Sequence, residues 1–101
     1  MLTLPIKKKW FDMIKSGEKK EEYREYKPYY KTRFNNILNK LDKGTIFYVI
    51  FKNGYGKNAP KIKCKVDLFL TETKSDIQIN WGAKPNTMYY VLKILSVEEI
   101  N

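Results

Sequence analysis

The sequence predicts an α+β domain in which a mixed β-sheet curls into a small barrel and two or three helices pack against it. Two segments with a helical apolar period alternate with strand-like segments in the first half of the chain, and further strand-like segments follow in the second half. Turns rich in glycine and asparagine separate the later strands, which favours hairpins. A doubly wound parallel sheet would need more alternating helices.

The first half of the chain predicts strand, helix, strand and helix. Residues 2–6 alternate apolar with polar side chains and end near a proline, as in a short strand close to a sheet edge. Residues 7–16 follow a helical period that Gly17 ends. Residues 19–26 alternate as a strand without a plainly apolar face, so we expect this strand to line a polar groove. Pro28 suits the first turn of a second helix that runs to about residue 41.

The second half of the chain predicts three strands. Residues 45–51 are rich in β-branched and aromatic side chains and predict a central strand. Residues 61–71 alternate apolar side chains, Cys64 among them, with a lysine-rich face. That face indicates an edge strand that lysines protect from further pairing, or alternatively a stripe that binds a nucleic-acid backbone. Residues 71–80 predict one helical turn or an extended loop, and residues 87–97 predict the last strand.

Two glycine-containing loops join these later elements. The loop at residues 52–58 carries an Asn-Gly turn signal, which indicates a plain hairpin. In a functional interpretation, Tyr55 and Lys57 at its tip stack on a base and contact a phosphate. The second loop, at residues 81–86, carries Trp81 and Lys84.

The charge of the chain favours a polyanionic partner. Twenty Lys and Arg stand against eleven Asp and Glu, a net charge of +9, and residues 40–66 hold seven basic side chains and one acidic one. Contacts of Lys and Arg with phosphate are the usual reason for such a field on a small domain. The alternative is an ordinary solvated surface on a lysine-rich protein.

The composition excludes several classes of protein and of site. At 101 residues with 43% hydrophobic side chains, the chain has the size and core of one domain. No apolar run approaches the ~18 residues of a membrane-spanning helix, so we expect a cytoplasmic protein that does not enter a membrane. Histidine is absent and Cys64 is the only cysteine, which removes a disulfide and most metal sites. We therefore predict no metal and no cofactor.

Four residues at fixed spacing carry a family resemblance. Gly17-x-Lys19-x-x-Glu22-x-Arg24, placed after an amphipathic helix, resembles the Gly-x-Lys-x-x-Glu-x-Arg signature of the ASCH domain, named for activating signal cointegrator homology. The turn at residues 51–55, the loop at residues 81–83 and the strand at residues 89–94 also resemble small stand-alone prokaryotic and phage members. The resemblance covers residues 1–101 as a single domain. It implies a PUA-like β-barrel and a basic cleft, lined by the signature, that suits RNA or a nucleotide.

The resemblance implies two kinds of activity. Family members are mostly RNA-binding modules. Some small bacterial members hydrolyse the amide of N4-acetylcytidine, with a lysine at the position of Lys19, a threonine at the position of Glu22 and a glutamate farther along the chain, and nuclease activity is known for others. This chain departs from the amidohydrolase pattern at Glu22, which cannot act as a hydroxyl nucleophile.

The signature residues also make chemical sense on their own. The Arg24 guanidinium is a planar fork for a phosphate or a carboxylate, and Lys19 is a point charge whose pKa falls if it is desolvated. Together with Glu22, these groups recognise the edge of a base, activate a water molecule, or form a salt-bridge network that closes one end of the barrel. On a regular strand Lys19 faces away from Glu22, so a shared site requires Lys19 in the turn after Gly17, or a bulge.

Three hypotheses follow for the function. The first is a module that binds RNA, a nucleotide or a nucleoside. The second is a small hydrolase in which Lys19 and Glu22 are catalytic and Glu72 or Asp76 assists. The third is a structural or protein-interaction domain, although the sequence indicates no particular protein partner. The candidate ligand-binding residues are Gly17, Lys19, Lys20, Glu22, Tyr23, Arg24, Tyr26, Asn53, Tyr55, Lys57, Trp81 and Lys84.

Overall fold

The strands and helices follow one another in the predicted order. A computed structural model describes residues 1–100. The elements are β1 (Leu2–Pro5), α1 (Lys8–Ser16), β2 (Glu21–Glu25), α2 (Pro28–Lys40), β3 (Ile46–Lys52), β4 (Lys61–Glu72), α3 (Asp76–Asn80) and β5 (Met88–Ile100). The polar segment after β4 contains a short helix, as one of its two interpretations predicted, and β5 extends three residues beyond the predicted end. No helix within residues 1–100 is long and apolar enough to span a membrane.

The five strands form one curled, mixed sheet in the order β1-β3-β4-β5-β2. β1 runs parallel to β3, and every other pair is antiparallel. β3 pairs on both sides, which confirms its central position, and β1 lies at an edge as its proline indicated. The α+β class and the curled mixed sheet are therefore confirmed, and β1 and β2 are the two edges of a half-barrel.

The lysine-rich strand β4 is not an edge strand, so that interpretation is wrong. β4 lies between β3 and β5 and pairs with both along most of its length. Lys63 stands opposite Glu98 of β5, and Asp67 stands opposite Lys93. Cross-strand neighbours of opposite charge stabilise a sheet surface, so a strand in the interior of the sheet can carry lysines on its solvent-facing side.

The main core fills the space between the inner face of the sheet and the two longer helices. Phe11 of α1 and Phe34 of α2 pack there against buried residues of β3, β4 and β5. Cys64 is fully buried in this core, and burial raises the pKa of its thiol to about 12. The apolar side of residues 61–71, to which the alternation assigns Cys64, therefore faces the core.

Strand β2 brings charged side chains to the core side of the sheet. Glu22 stands opposite Leu92 of β5, a member of the main core. Tyr23 stands opposite Val91 and packs with it on the outer face. Because side chains alternate along a strand, Glu22 and Arg24 share the inner side, where water is largely excluded.

Candidate functional site: a cleft at the edge of the sheet

A cleft of about 390 Å³ opens beside β2. This volume lies within the range of small-molecule binding sites in proteins. Among the predicted site residues, the cleft is lined by Glu22, Tyr23, Arg24, Trp81 and Lys84. The other lining residues were not singled out by the sequence and are Pro5, Ile6, Lys7, Trp10, Glu25, Tyr30, Gly82 and Tyr89.

A buried network of three charges lies in the wall of the cleft. Arg24 Nη2 donates to Glu22 Oε2 at 2.8 Å, and Lys19 Nζ lies 3.4 Å from Glu22 Oε1. The side chains of Lys19, Glu22 and Arg24 are 0%, 8% and 10% exposed. Burying a charge is costly unless partners of opposite charge and hydrogen bonds compensate. The network therefore depends on all three members being present.

Lys19 reaches this network from a turn. Helix α1 ends at Ser16, and Gly17 adopts the left-handed conformation at φ +86°, which favours glycine. The Lys19 backbone N–H then donates to the Met13 carbonyl oxygen at 2.9 Å. β2 begins only at Glu21. Lys19 is thus part of the turn, which is the first of the two arrangements that a shared site required.

The Lys19 ammonium lies behind the cleft and does not line it. Its Nζ donates to the Trp81 carbonyl oxygen and lies 4.8 Å from the ring centroids of both Trp10 and Tyr23. Burial lowers the pKa of Lys19, and the Glu22 carboxylate partly offsets this shift. In this position Lys19 holds Glu22 and the loop after α3 in place.

Arg24 joins the network to two other elements. Its Nη2 also donates to the Pro5 carbonyl oxygen at 2.8 Å, and its Nη1 donates to the Tyr30 hydroxyl at 3.2 Å. Arg24 Nε is buried and has no hydrogen-bond partner within residues 1–100. One guanidinium therefore contacts both edges of the sheet and the first turn of α2.

Aromatic side chains form much of the cleft wall. Trp10, Trp81 and Tyr30 line it, and the rings of Tyr23 and Tyr89 pack at 5.7 Å between centroids. The lining carries three basic and two acidic side chains, so the cleft itself is only weakly basic. Of the basic ones, Lys7 and Lys84 are exposed at the surface. The arrangement suits a planar polar group held between rings, with an anionic group near the lysines.

Thr73 organises the loop that carries Trp81, a role that no sequence pattern indicates. Thr73 is fully buried, and its Oγ1 donates to the Lys84 carbonyl oxygen at 2.6 Å. Its backbone N–H donates to the Thr87 carbonyl oxygen at 3.0 Å, and its own carbonyl oxygen accepts from Asn86 N–H at 2.9 Å. A threonine at the end of a strand is common in sequences, so only the closed loop reveals its function.

Gly82 lets this loop approach α1. Its φ of +106° favours glycine, and a Cβ atom there would lie 2.9 Å from Trp10 Cζ2. The close approach of Gly82 to the Trp10 ring closes one side of the cleft.

Three candidates near the signature lie outside the cleft lining. Gly17 shapes the turn, and Lys20 is exposed beside β5, where its carbonyl oxygen accepts from Ile94 N–H at 2.9 Å. Lys20, a candidate ligand-binding residue, therefore does not contribute its charge to the cleft. Tyr26 is 44% exposed and packs against Tyr90 with ring centroids 5.4 Å apart, next to the first turn of α2.

The candidates in the first glycine loop also lie outside the cleft lining. Asn53 is structural in this position, because its Nδ2 donates to the Ile6 carbonyl oxygen at 2.9 Å. Tyr55 is 91% exposed and Lys57 is exposed. The proposed catalytic helpers, Glu72 and Asp76, are exposed and do not line the cleft either.

Neither a metal site nor a relative identifies the chemistry. Within residues 1–100, no group of three or more His, Cys, Asp or Glu side chains is placed to hold a metal ion. Comparison with protein-family models, curated proteins and solved structures found no match to this chain. The function is therefore inferred from the residues of the cleft.

Proposed function

We propose that this protein binds RNA or a nucleotide and that the cleft beside β2 receives a base. The observation that carries the proposal is the buried network of Lys19, Glu22 and Arg24 behind and within an aromatic-walled cleft of about 390 Å³. A cytoplasmic location and membership of the ASCH family, with a PUA-like barrel, belong to the same proposal. Support for the family comes from the signature residues, three of which meet in one network.

The network provides hydrogen-bonding groups in fixed positions for the edge of a base. A carboxylate offers about four lone-pair sites, of which Arg24 occupies one on Oε2 of Glu22, while Lys19 Nζ lies 3.4 Å from Oε1. The remaining sites of Glu22 can accept N–H groups from a base, whose faces contact Trp10 or Tyr23. Because two cations hold Glu22, little side-chain entropy is lost when the ligand binds.

A small hydrolase is the second candidate, and one observation favours it. The pKa of Lys19 is lowered beside a carboxylate, a combination that is frequent in active sites. Glu22 would act as general base on a water molecule, and Arg24 would stabilise the oxyanion of an amide or a phosphodiester. Binding is the better-supported function, because Lys19 is fully buried and both Glu22 oxygens already contact cations.

The two tryptophans of the chain provide a direct test, because both line the cleft. We would titrate the protein with the four common nucleosides, their 5′-monophosphates and N4-acetylcytidine, and measure tryptophan fluorescence. A saturable change with at least one ligand is expected. The Lys7→Gln/Lys84→Gln variant should weaken binding of the monophosphates, and the Lys57→Gln/Lys74→Gln variant, with the same change in charge outside the cleft, should not.

The same samples separate binding from hydrolysis. Chromatography of the mixtures with N4-acetylcytidine and with a short RNA detects cytidine or cleaved RNA. Product that Glu22→Gln abolishes in a folded protein would make the chain a hydrolase. Absence of both product and fluorescence change with every ligand would contradict the proposed function and favour a structural or protein-interaction domain.

A further inference from the structure

Cations and tyrosines lie on both flanks of the start of helix α2, because residues two apart on a helix point to different sides: Lys27 and Lys31 lie on one flank, and Tyr29 and Arg33 on the other. We call Tyr26, Lys27, Tyr29, Lys31 and Arg33 the α2 cation–tyrosine face. The rings of Tyr26 and Tyr29 are 44% and 53% exposed. Large aromatic side chains that remain this exposed on a small domain often belong to a binding surface.

The two tyrosine rings on this face are held in place by cations. Arg33 Cζ lies 3.4 Å from the Tyr29 ring centroid, and Lys31 Nζ lies 4.1 Å from the Tyr26 ring centroid. Arg33 Nη1 also donates to the Tyr29 carbonyl oxygen at 3.2 Å. Rings fixed next to positive charges are suited to stacking on bases while the cations contact phosphates.

Few acidic groups neutralise this face. The sequence contains no Asp or Glu from residue 26 to residue 41. The nearest carboxylate, Glu25, contacts Lys27 at 2.8 Å, which leaves Lys31 and Arg33 without an acidic partner within residues 1–100. The α2 face therefore attracts a polyanion. On β4, by comparison, Lys63 stands opposite Glu98 and Lys65 stands opposite Ser96.

The α2 face begins where the cleft ends. Tyr30 lines the cleft, and its hydroxyl accepts from Arg24. The ring of Tyr29 packs edge-on against the ring of Tyr30 at 4.9 Å between centroids. A ligand that fills the cleft and continues past Tyr30 meets Tyr29 and Arg33 next.

We propose that the ligand of this protein is a single-stranded RNA, with one base in the cleft and the neighbouring nucleotides along the α2 cation–tyrosine face. This inference rests on the proposed function and specifies its ligand class. Lys27, Lys31 and Arg33 contact phosphates, and Tyr29 stacks on a base outside the cleft. Stacking and phosphate contacts tolerate any sequence, so the cleft alone selects a particular base.

The salt dependence of binding follows from the number of phosphate contacts. Three contacts on a single strand give a slope of about −2 for log affinity against log salt concentration. Raising the salt concentration from about 50 to about 200 mM should then lower RNA affinity about 20-fold. A mononucleotide in the cleft contacts none of these three cations and should show a much smaller dependence.

The test uses a fluorescein-labelled 12-nucleotide RNA of randomised sequence, measured by anisotropy, and the four 5′-monophosphates, measured by tryptophan fluorescence. Lys31→Gln/Arg33→Gln should lower RNA affinity about 5- to 20-fold at low salt and reduce the salt slope by about 1.4. Tyr29→Leu should lower RNA affinity without changing the slope. The matched control Lys63→Gln/Lys65→Gln removes the same charge from β4 and should change RNA affinity less than twofold.

The outcomes distinguish this inference from the proposed function. Binding of a monophosphate as tight as that of the RNA, unaffected by the α2 variants, would overturn the inference and leave the proposed function standing. Equal loss in the α2 and β4 variants, or poly-L-glutamate competing as well as RNA of equal charge, would also overturn it. Absence of binding by both RNA and monophosphates would overturn both proposals.

Discussion

Arg24 Nη2 on one edge strand donates to the Pro5 carbonyl oxygen on the other edge strand, at 2.8 Å. The two strands are at opposite ends of the sheet order, so a side chain joins edges that no strand pairing joins within residues 1–100. The same guanidinium contacts Glu22 in the cleft wall. Arg24 thus both closes one end of the half-barrel and shapes the wall of the cleft, so these two interpretations of the signature are compatible.

Replacing Arg24 should therefore destabilise the fold as well as the cleft. Arg24→Lys keeps the charge but cannot reach Glu22, Pro5 and Tyr30 together. We expect the free energy of unfolding to fall by about 2–4 kcal/mol, because hydrogen bonds of a buried charge are lost. Urea unfolding measures this change. Arg33→Lys, at a half-buried position of α2 with no acidic partner within residues 1–100, is the matched control, and an equal effect of the two variants would contradict the role of Arg24.

Lys19→Met tests whether Lys19 positions its neighbours. Methionine has a similar length and fits between Trp10 and Tyr23, but it leaves the Trp81 carbonyl oxygen without its donor. We expect a loss of about 2–3 kcal/mol in unfolding free energy, because Arg24 still pairs with Glu22. Tryptophan emission should shift as the loop moves. Lys20→Met, one residue away and exposed, should change the free energy by less than about 0.5 kcal/mol, and equality of the two variants would refute the positioning role.

Gly82→Ala tests the contact between the second glycine loop and α1. The new Cβ atom would lie 2.9 Å from Trp10 Cζ2, in a backbone conformation at φ +106° that alanine rarely adopts. We expect a loss of about 2–4 kcal/mol, from the strained backbone and from overpacking. Gly44→Ala is the control, because its φ of +102° is similar and no atom lies within 4 Å of its Cβ position.

The difference between the two glycine variants isolates the contact with Trp10. Gly44→Ala should show only the cost of the backbone conformation, about 1–2 kcal/mol, and unchanged tryptophan emission. If both variants lose equal stability, the Trp10 contact contributes nothing and the loop adapts to the added methyl group.

The raised pKa of the buried Cys64 thiol predicts that the protein loses stability at alkaline pH. The pKa of its thiol is about 12 in the folded protein against 9.0 for an exposed thiol, so the unfolded chain loses a proton first as the pH rises above 9. Stability therefore decreases with rising pH between these two values, by up to about 1.4 kcal/mol per pH unit. Urea unfolding between pH 8 and pH 11 measures the slope.

The Cys64→Ala variant gives the reference for this slope. Other groups, tyrosines included, also titrate in this range, so the difference between the slopes of the two proteins is the relevant quantity. We expect the wild type to lose about 2–3 kcal/mol more than Cys64→Ala between pH 8 and pH 11. Parallel curves would show that the thiol ionises without unfolding the core.

The sequence predicted those elements whose signals are local. Gly17 ends α1 as its φ requires, and Pro28 opens α2. The turn that contains Lys19 is one of two arrangements that the sequence allows. The alternation of side chains along residues 19–26 does not show at which residue the strand begins. Which face of β2 is buried depends on its pairing with β5, and no local pattern encodes that pairing.

Contacts between distant parts of the chain were the ones that sequence reasoning missed. The charge pattern of β4 indicates an edge strand or a backbone-binding stripe, because Glu98 and Lys93 become its neighbours only after β5 folds back. Tyr30 and Pro5 were absent from the predicted site for the same reason. The Arg24 guanidinium reaches the Pro5 carbonyl oxygen only because the sheet curls and brings its two edges together. That curl depends on all five strands and not on a local sequence pattern.

The pairing of β2 with β5 also determines when the site can exist during protein synthesis. β5 begins more than sixty residues after β2 ends, and at about 5–20 residues per second the ribosome needs several seconds to supply it. Until then Glu22 and Arg24 belong to a strand without a neighbour and remain hydrated. Translation stalled before residue 88 therefore yields a nascent chain that has every signature residue and no assembled cleft.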